Sequence, residues 1–234
     1  MITEAADAFV IHKYWSRETS ARVIFFTKEQ GMVRCHYKGG RSPKKQALLQ
    51  SFLPLWVNIA TRGDAFFVQT LELSSSPIAL SGKTLFAGLY LNELLQYVLQ
   101  PHDPQEILYM AYVTALNALA ITTVSLQIEA ILRRFEWVLL TACGQQISLT
   151  HEARSNLPLA LDTHYRFVVG EGLVASPDGF LGAHLLAMAN NSLDSQEVLW
   201  VAKRLMRMAI DDLLDGKVIK TRSLYRVLSN QGVQ

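Results

Sequence analysis

Between residues 74 and 82, in the stretch SSSPIALSG, the chain changes its hydrophobic period, and this constrains the fold more than any other feature. Upstream, the segments AFVIH, ARVIFFTKEQGMVRCHYKG and LPLWVNIATRGDAFFVQTLEL are rich in Val, Ile, Phe, Thr and Tyr. Branched and aromatic side chains suit a pleated, half-buried surface, and KEQG (28–31) and TRGD (61–64) supply turn chemistry. About five short strands are therefore expected between residues 8 and 75. Hairpin-length connections, with one longer basic connection after the third strand, fit a small Greek-key barrel of the OB type or an SH3-like barrel. Within the longer connection, SPKKQALLQSF is expected to wind a short helix with Ser42 as N-cap and Pro43 at the first position.

Downstream the period is helical. KTLFAGLYLNELLQYVLQ spaces Leu85, Leu89, Leu91, Leu94, Leu95, Val98 and Leu99 for one helix, which Pro101 and Pro104 end. DPQEILYMAYVTALNALA is expected to begin a second, with Asp103 as N-cap and Pro104 in the first turn. VSLQIEAILRRFEWVLLTACG predicts a third, closed by Gly144. HYRFVVGEGLVAS predicts a β-hairpin around Gly170–Gly172, and DSQEVLWVAKRLMRMAIDDLLDG and KTRSLYRVLSN two further helices. The stretch from Ile107 to Ile128 carries no charge over 22 residues, long enough for a membrane span. Asn117, Gln127 and the polar TTVS at 122–125 fit two buried helices separated by a turn better.

Charge is unevenly spread. Of 234 residues, 50% are hydrophobic, ample for a packed core, and the formal net charge is only +2. Residues 1–83 nevertheless carry 11 Lys and Arg against 6 Asp and Glu, while the remainder carries 11 against 14. From Lys28 to Arg62 seven basic residues face one acid, Glu29. Four of them, Lys38, Arg41, Lys44 and Lys45, fall within GGRSP-punctuated chain that runs directly into an apolar strand. Such a strip suits an anionic partner: cations displace counterions from a nucleic-acid backbone, glycines let the main chain approach a phosphate, and rings stack on bases. Tyr14, Trp15, Tyr37 and Phe67 are the ring candidates, although aromatic side chains at alternate strand positions also serve as core.

Catalytic and metal constellations are incomplete at named positions. SGKT at 81–84 ends like a phosphate-binding loop, but Pro77 stands where that loop needs glycine. HEARS at 151–155 opens like a helical zinc site, and Ser155 replaces the second histidine. His12, His36, His102, His164 and His184 are isolated in sequence, and no GxSxG occurs. Two cysteines, Cys35 and Cys143, form no ligand spacing and no disulfide framework, which suits a reducing compartment. The acidic start MITEAADAFVIHKYW lacks the features of an export signal. A second basic cluster, Arg133, Arg134, Lys203, Arg204 and Arg207, lies on helical segments beside Leu132, Phe135 and Trp137. It reads either as local ion pairs with Glu129, Glu136 or Asp211, or as the rim of an apolar notch for an acidic peptide with a hydrophobic end.

Six pieces in order, AFVIHKYWSRETS, TKEQGMVRCHYKGGRS, LSGKTLFAGLYLNELL, LRRFEWVLLTACG, YRFVVGEGLVAS and AKRLMRMAIDDLLDGKVIKTRSLYR, resemble the RecO family of bacterial recombination mediators over essentially the whole chain. The resemblance implies an α+β protein: an N-terminal OB-fold barrel over residues 1–80 for nucleic-acid binding, then a mainly α-helical domain over 81–234 with a small hairpin. It implies no catalytic centre and no cofactor, and a cytoplasmic, nucleoid-associated location. It further implies binding to single- and double-stranded DNA, annealing of complementary strands, contact with the acidic tail of single-strand-binding protein, and partnership with RecR to help load RecA. The DNA-binding candidates are then Lys38, Arg41, Lys44 and Lys45 with Arg34 and Arg62. Those for the tail are Arg133, Arg134, Lys203 and Arg207. Some members carry a four-cysteine zinc motif after the helix that here ends in TACG. Cys143 alone is present there, and His151 and His164 do not restore a ligand set, so no zinc finger is expected. Two rivals are a nuclease, which no carboxylate cluster encourages, and an interaction module whose basic loop captures an acidic protein.

Overall fold

The computed structural model describes residues 2–16 and 19–224. They form two compact units, one reaching to Ile121 and resuming at Ile219, the other spanning Thr122–Val218. In the first, β1 (Ile2–Trp15), β2 (Ala21–Thr27), β3 (Gly31–Tyr37), β4 (Leu55–Arg62) and β5 (Ala65–Leu73) close a barrel in the order β1-β2-β3-β5-β4. The parallel β3–β5 pairing and the closing β1–β4 pairing are those of an OB-fold. A short helix α1 (Pro43–Leu48) follows β3 with Ser42 at its N-cap and Pro43 in its first turn, as the sequence predicts.

Closure depends on β1. Its first half pairs with β4, Ile2 to Ala8 against Thr61 to Leu55, and its second half with β2, Ala8 to Trp15 against Thr27 to Ala21. The register shifts between Val10 and His12. One inserted residue reverses which side chains face inward. Before the shift Ala6, Ala8 and Val10 pack into the barrel core with Val23, Phe25, Val33 and Cys35. After it, His12 and Tyr14 take the outward positions opposite Ile24 and Arg22.

Helices α2 (Gly82–Val98) and α3 (Glu106–Ile121) belong to the same unit. The end of the strand pattern near residue 74 thus marks the end of the barrel, while the compact unit continues to Ile121. Phe9 and Phe26, paired across β1 and β2, point outward and meet α3. Phe9 lies 5.3 Å edge-on from Tyr112, and Phe26 5.3 Å from Tyr109. Tyr112 is fully buried, and its hydroxyl donates to Asn92 Oδ1 of α2 at 2.6 Å. Helix α3 begins at Glu106, later than expected, because residues 101–103 are tied to β3 instead of capping a helix. Pro101 bridges Met32, the His102 N–H donates to the Met32 carbonyl at 3.1 Å, and the Asp103 carbonyl packs on Gly31. A Cβ at Gly31 would lie 2.0 Å from that oxygen, and its φ of +66° already favours glycine.

The second unit contains α4 (Ser125–Ala142), a sheet of β6 (His164–Val168), β7 (Gly172–Ala175) and β8 (Phe180–Leu181) in the order β7-β6-β8, α5 (Gly182–Ala189) and α6 (Gln196–Leu213). The expected hairpin is present and gains a third strand. That strand of two residues and the eight-residue α5 are too short to show a period in sequence. Ala130 of α4 packs with Val198, Leu199 and Ala202 of α6, whose N-cap Ser195 accepts from the Val198 N–H at 3.2 Å. The uncharged stretch divides at residues 122–124, and no helix among the described residues is long and apolar enough to cross a membrane. Of the last expected helix, 220–224 are helical and belong to the first unit; the remainder lies outside the described residues.

Replacing Tyr112 with Phe leaves Asn92 Oδ1 without its hydroxyl donor in a dry site. A loss of about 1–3 kcal/mol is expected in urea unfolding, because a buried acceptor forfeits its hydration as well as its partner.

Candidate nucleic-acid interface

The tyrosines of α3 cover the Phe9–Phe26 part of the sheet, and the part beyond the β1 irregularity stays open. Cross-strand pairing arranges its outward residues in rows. Tyr14 faces Arg22, Arg22 faces His36, and His36 faces Phe67 across four strands; one row nearer the helices, His12, Ile24 and Arg34 align. Directly opposed residues share a face and sit close enough to interact. A groove of about 620 Å³ lies over these rows, lined by Tyr14, Trp15, Arg22, Arg34, His36 and Gln96 among others. Tyr14 is 49% exposed and Trp15 39%. The Gln96 amide of α2 donates to the Tyr14 hydroxyl at 3.2 Å, His12 meets Tyr14 at 4.4 Å, and His36 meets Phe67 at 5.6 Å.

The six candidate phosphate residues are placed unequally. Arg34 lines the groove. Arg41 lies over Trp15 at 5.8 Å, and Arg62 over Phe67 at 5.8 Å, so both reach ring systems of the open face. Lys45 turns back, its ammonium donating to the Lys38 carbonyl at 2.9 Å and sitting 4.7 Å from the Tyr37 ring. Lys38 and Lys44 are exposed. The basic arm is fixed rather than hanging free. The Arg41 N–H donates to the Thr19 carbonyl, Leu49 is buried in the barrel core with Leu48 packed against it, and the Lys13 ammonium reaches the Leu49 carbonyl at 2.6 Å. Among the ring candidates, Tyr37 belongs to the core, where burial pushes its phenol pKa up. Sequence reading missed Arg22, His36 and Gln96. Alternation in ARVIF and MVRCHY put the first two on the outer face, but which part of that face stays open depends on α3.

In the second unit a groove of about 690 Å³ is walled by Trp137, Val138, Ile147, Leu149, Met188 and Met206, with Arg133 and Arg134 at it. Arg134 is exposed and donates to Asn191 Oδ1 at 2.8 Å. Arg133 is only 7% exposed, 2.8 Å from the buried Glu136 carboxylate and 4.0 Å from Glu129. Lys203 pairs with Glu129 at 2.7 Å and Arg207 with Asp211 at 3.7 Å, and neither lines this groove. Local ion pairing therefore accounts for Arg133, Lys203 and Arg207, leaving Arg134 as the exposed cation beside the apolar wall. Among the described residues no group of three His, Cys, Asp or Glu side chains is arranged to hold a metal ion.

An OB barrel with an open cationic and aromatic face, followed in the chain by a mainly helical unit, is the class of protein that the structure defines. The family profile described as Recombination protein O C terminal matches residues 80–217. DNA repair protein RecO of Legionella pneumophila strain Paris is 50% identical over 226 residues, covering 96% of this chain and 99% of that protein. The proteins of the same name from Klebsiella pneumoniae strain 342 and Pseudoalteromonas atlantica are 38% and 35% identical, over 94% and 97% of this chain. The chain belongs to the RecO family.

Removing the Arg133 guanidinium strands the Glu136 carboxylate in the interior. Arg133→Ala is expected to cost about 3–5 kcal/mol in chemical unfolding, whereas Arg134→Ala is expected to stay within about 0.5 kcal/mol of wild type.

Proposed function

We propose that this RecO-family protein serves DNA repair and recombination as a mediator without a catalytic centre. It binds single- and double-stranded DNA without reading sequence, brings complementary strands together, holds the acidic tail of single-strand-binding protein, and with RecR promotes loading of RecA. The observation that carries this reading is the row Tyr14, Arg22, His36, Phe67 across the open barrel face, with Arg34 beside it. Every base has a π-face, so exposed rings accept any sequence, while guanidinium groups contact phosphates that carry none. Arg41 and Lys44 at the barrel's margin supply charge for a second backbone, lowering the repulsion between two strands held close together.

The groove of the second unit suits the tail. Its apolar wall takes a hydrophobic end, and Arg134 takes a carboxylate, since a guanidinium binds carboxylates through two parallel hydrogen bonds. Recruitment to coated strands and pairing of those strands are then functions of one chain.

Fluorescence anisotropy with labelled oligonucleotides tests the barrel face. Tyr14→Ala and Trp15→Ala are each expected to weaken single-strand binding by about 1–3 kcal/mol per stacked base and duplex binding far less. Lys44→Ala combined with Lys45→Ala is expected to weaken binding uniformly across sequences and to flatten its salt dependence. An unchanged salt slope contradicts a phosphate role for the arm. Turnover of DNA dependent on a divalent metal contradicts the non-catalytic mechanism.

A further inference from the structure

Glu93 of α2 is an acid close to a groove read as a nucleic-acid site, yet both its oxygens are engaged by the end of the chain. Oε1 accepts from the Lys220 N–H at 2.8 Å, and Oε2 from the Thr221 N–H at 2.9 Å and the Thr221 hydroxyl at 2.7 Å. The Tyr97 hydroxyl adds a contact to Oε1 at 3.4 Å. Ile219, immediately before this clamp, is buried. Three residues beyond Glu93, on the next turn of α2, Gln96 holds the Tyr14 hydroxyl in the groove wall. The clamp therefore fastens the exposed Lys220 to α2 three residues from Gln96, which reaches Tyr14, whose ring meets His12 at 4.4 Å. Burial, and after it the charge of Lys220, lowers the imidazole pKa of His12, so that ammonium acts on the His12 end of the row. His12, Ile24 and Arg34 form one row, with His12 and Arg34 at its two ends.

We propose that residues 219–224, clamped by Glu93, form the second bank of the barrel's groove, with Lys220 contacting a backbone phosphate at the end of the row away from Arg34. The inference rests on the reading of that groove as a single-strand site. It makes binding by the N-terminal barrel depend on Lys220, 147 residues past the end of β5 at Leu73, because the chain returns and is fastened there. It also fixes an unusual sign. Removing an acid near a phosphate path ordinarily strengthens binding by removing repulsion. Here the carboxylate acts by placing a cation, so its removal weakens binding.

The test is salt-dependent anisotropy of the full chain with a labelled oligothymidylate, comparing Glu93→Ala, Lys220→Gln, the double variant, and Asp64→Ala in the exposed β4–β5 turn as a charge control. Lys220→Gln keeps the clamp, which uses main-chain N–H groups at that residue, and so remains informative even if Glu93→Ala loosens the fold. Loss of one single-strand phosphate contact flattens the log–log salt slope by about 0.7, equivalent to about fivefold weaker binding near 0.1 M salt. That result is expected for Lys220→Gln and for Glu93→Ala, with the double variant no weaker than Lys220→Gln alone and Asp64→Ala equal to or tighter than wild type. Wild-type binding with an unchanged slope in Lys220→Gln, or tighter binding by Glu93→Ala, overturns the second bank and leaves the groove reading standing. Failure of the wild-type chain to bind the oligomer overturns both.

Discussion

The irregularity in β1 between Val10 and His12 is the constraint on which the rest of the first unit depends. A strand of 14 residues must serve two neighbours to close the barrel, and an unbroken alternation would give one face to the core along its whole length. Shifting the register once lets Ala6, Ala8 and Val10 fill the interior while His12 and Tyr14 turn outward further along. It also turns Lys13 to the side of its partner Val23, from which its ammonium reaches the Leu49 carbonyl at the end of α1. One inserted residue thereby joins barrel closure, the anchoring of the basic arm and the outward aromatic edge.

Covering part of the outer sheet is what leaves the rest as an open face. Phe9 and Phe26 would be an apolar liability in water, and α3 removes them by packing Tyr109 and Tyr112 edge-on against them. Burial raises both phenols' pKa and keeps these rings neutral structural groups. The remaining strip keeps Arg22, Arg34 and His36 in solvent with rings alongside. At its margin Arg41, Arg62 and Lys45 are held by ring faces or a carbonyl, so part of the cost of ordering these cations is met in folding.

Strands and long helices were legible in the sequence because each shows its own period over enough residues, and the short α1 because serine and proline mark its start. The choice between OB and SH3-like closure was not legible from the residues, since it turns on the non-local β3–β5 pairing. The sequence predicts the start of α3 two residues early because Asp103 and Pro104 look like a cap, and nothing local reveals that Met32 and Gly31 hold that segment. Arg22 and His36 were written into the alternation of their strands but could not be separated from covered neighbours such as Phe26. In the second unit, the spacing of Glu129, Arg133 and Glu136 spells local ion pairs on a solvated helix face, whereas the Arg133–Glu136 pair is buried, which the spacing alone does not reveal. Arg134, one residue on, lies about 100° further round the helix and stays exposed, which is why adjacent arginines of similar appearance differ in burial and partners.

The central claim is that single-stranded DNA lies along the open barrel face. Ultraviolet crosslinking of the full chain to an oligothymidylate, with the attached residues identified by mass spectrometry, tests it most directly. The account predicts attachment at Tyr14, Trp15, His36 or Phe67, within the rows that cross β1, β2, β3 and β5. Attachment confined to residues 122–218, with the barrel unmodified at saturating oligomer, would contradict it.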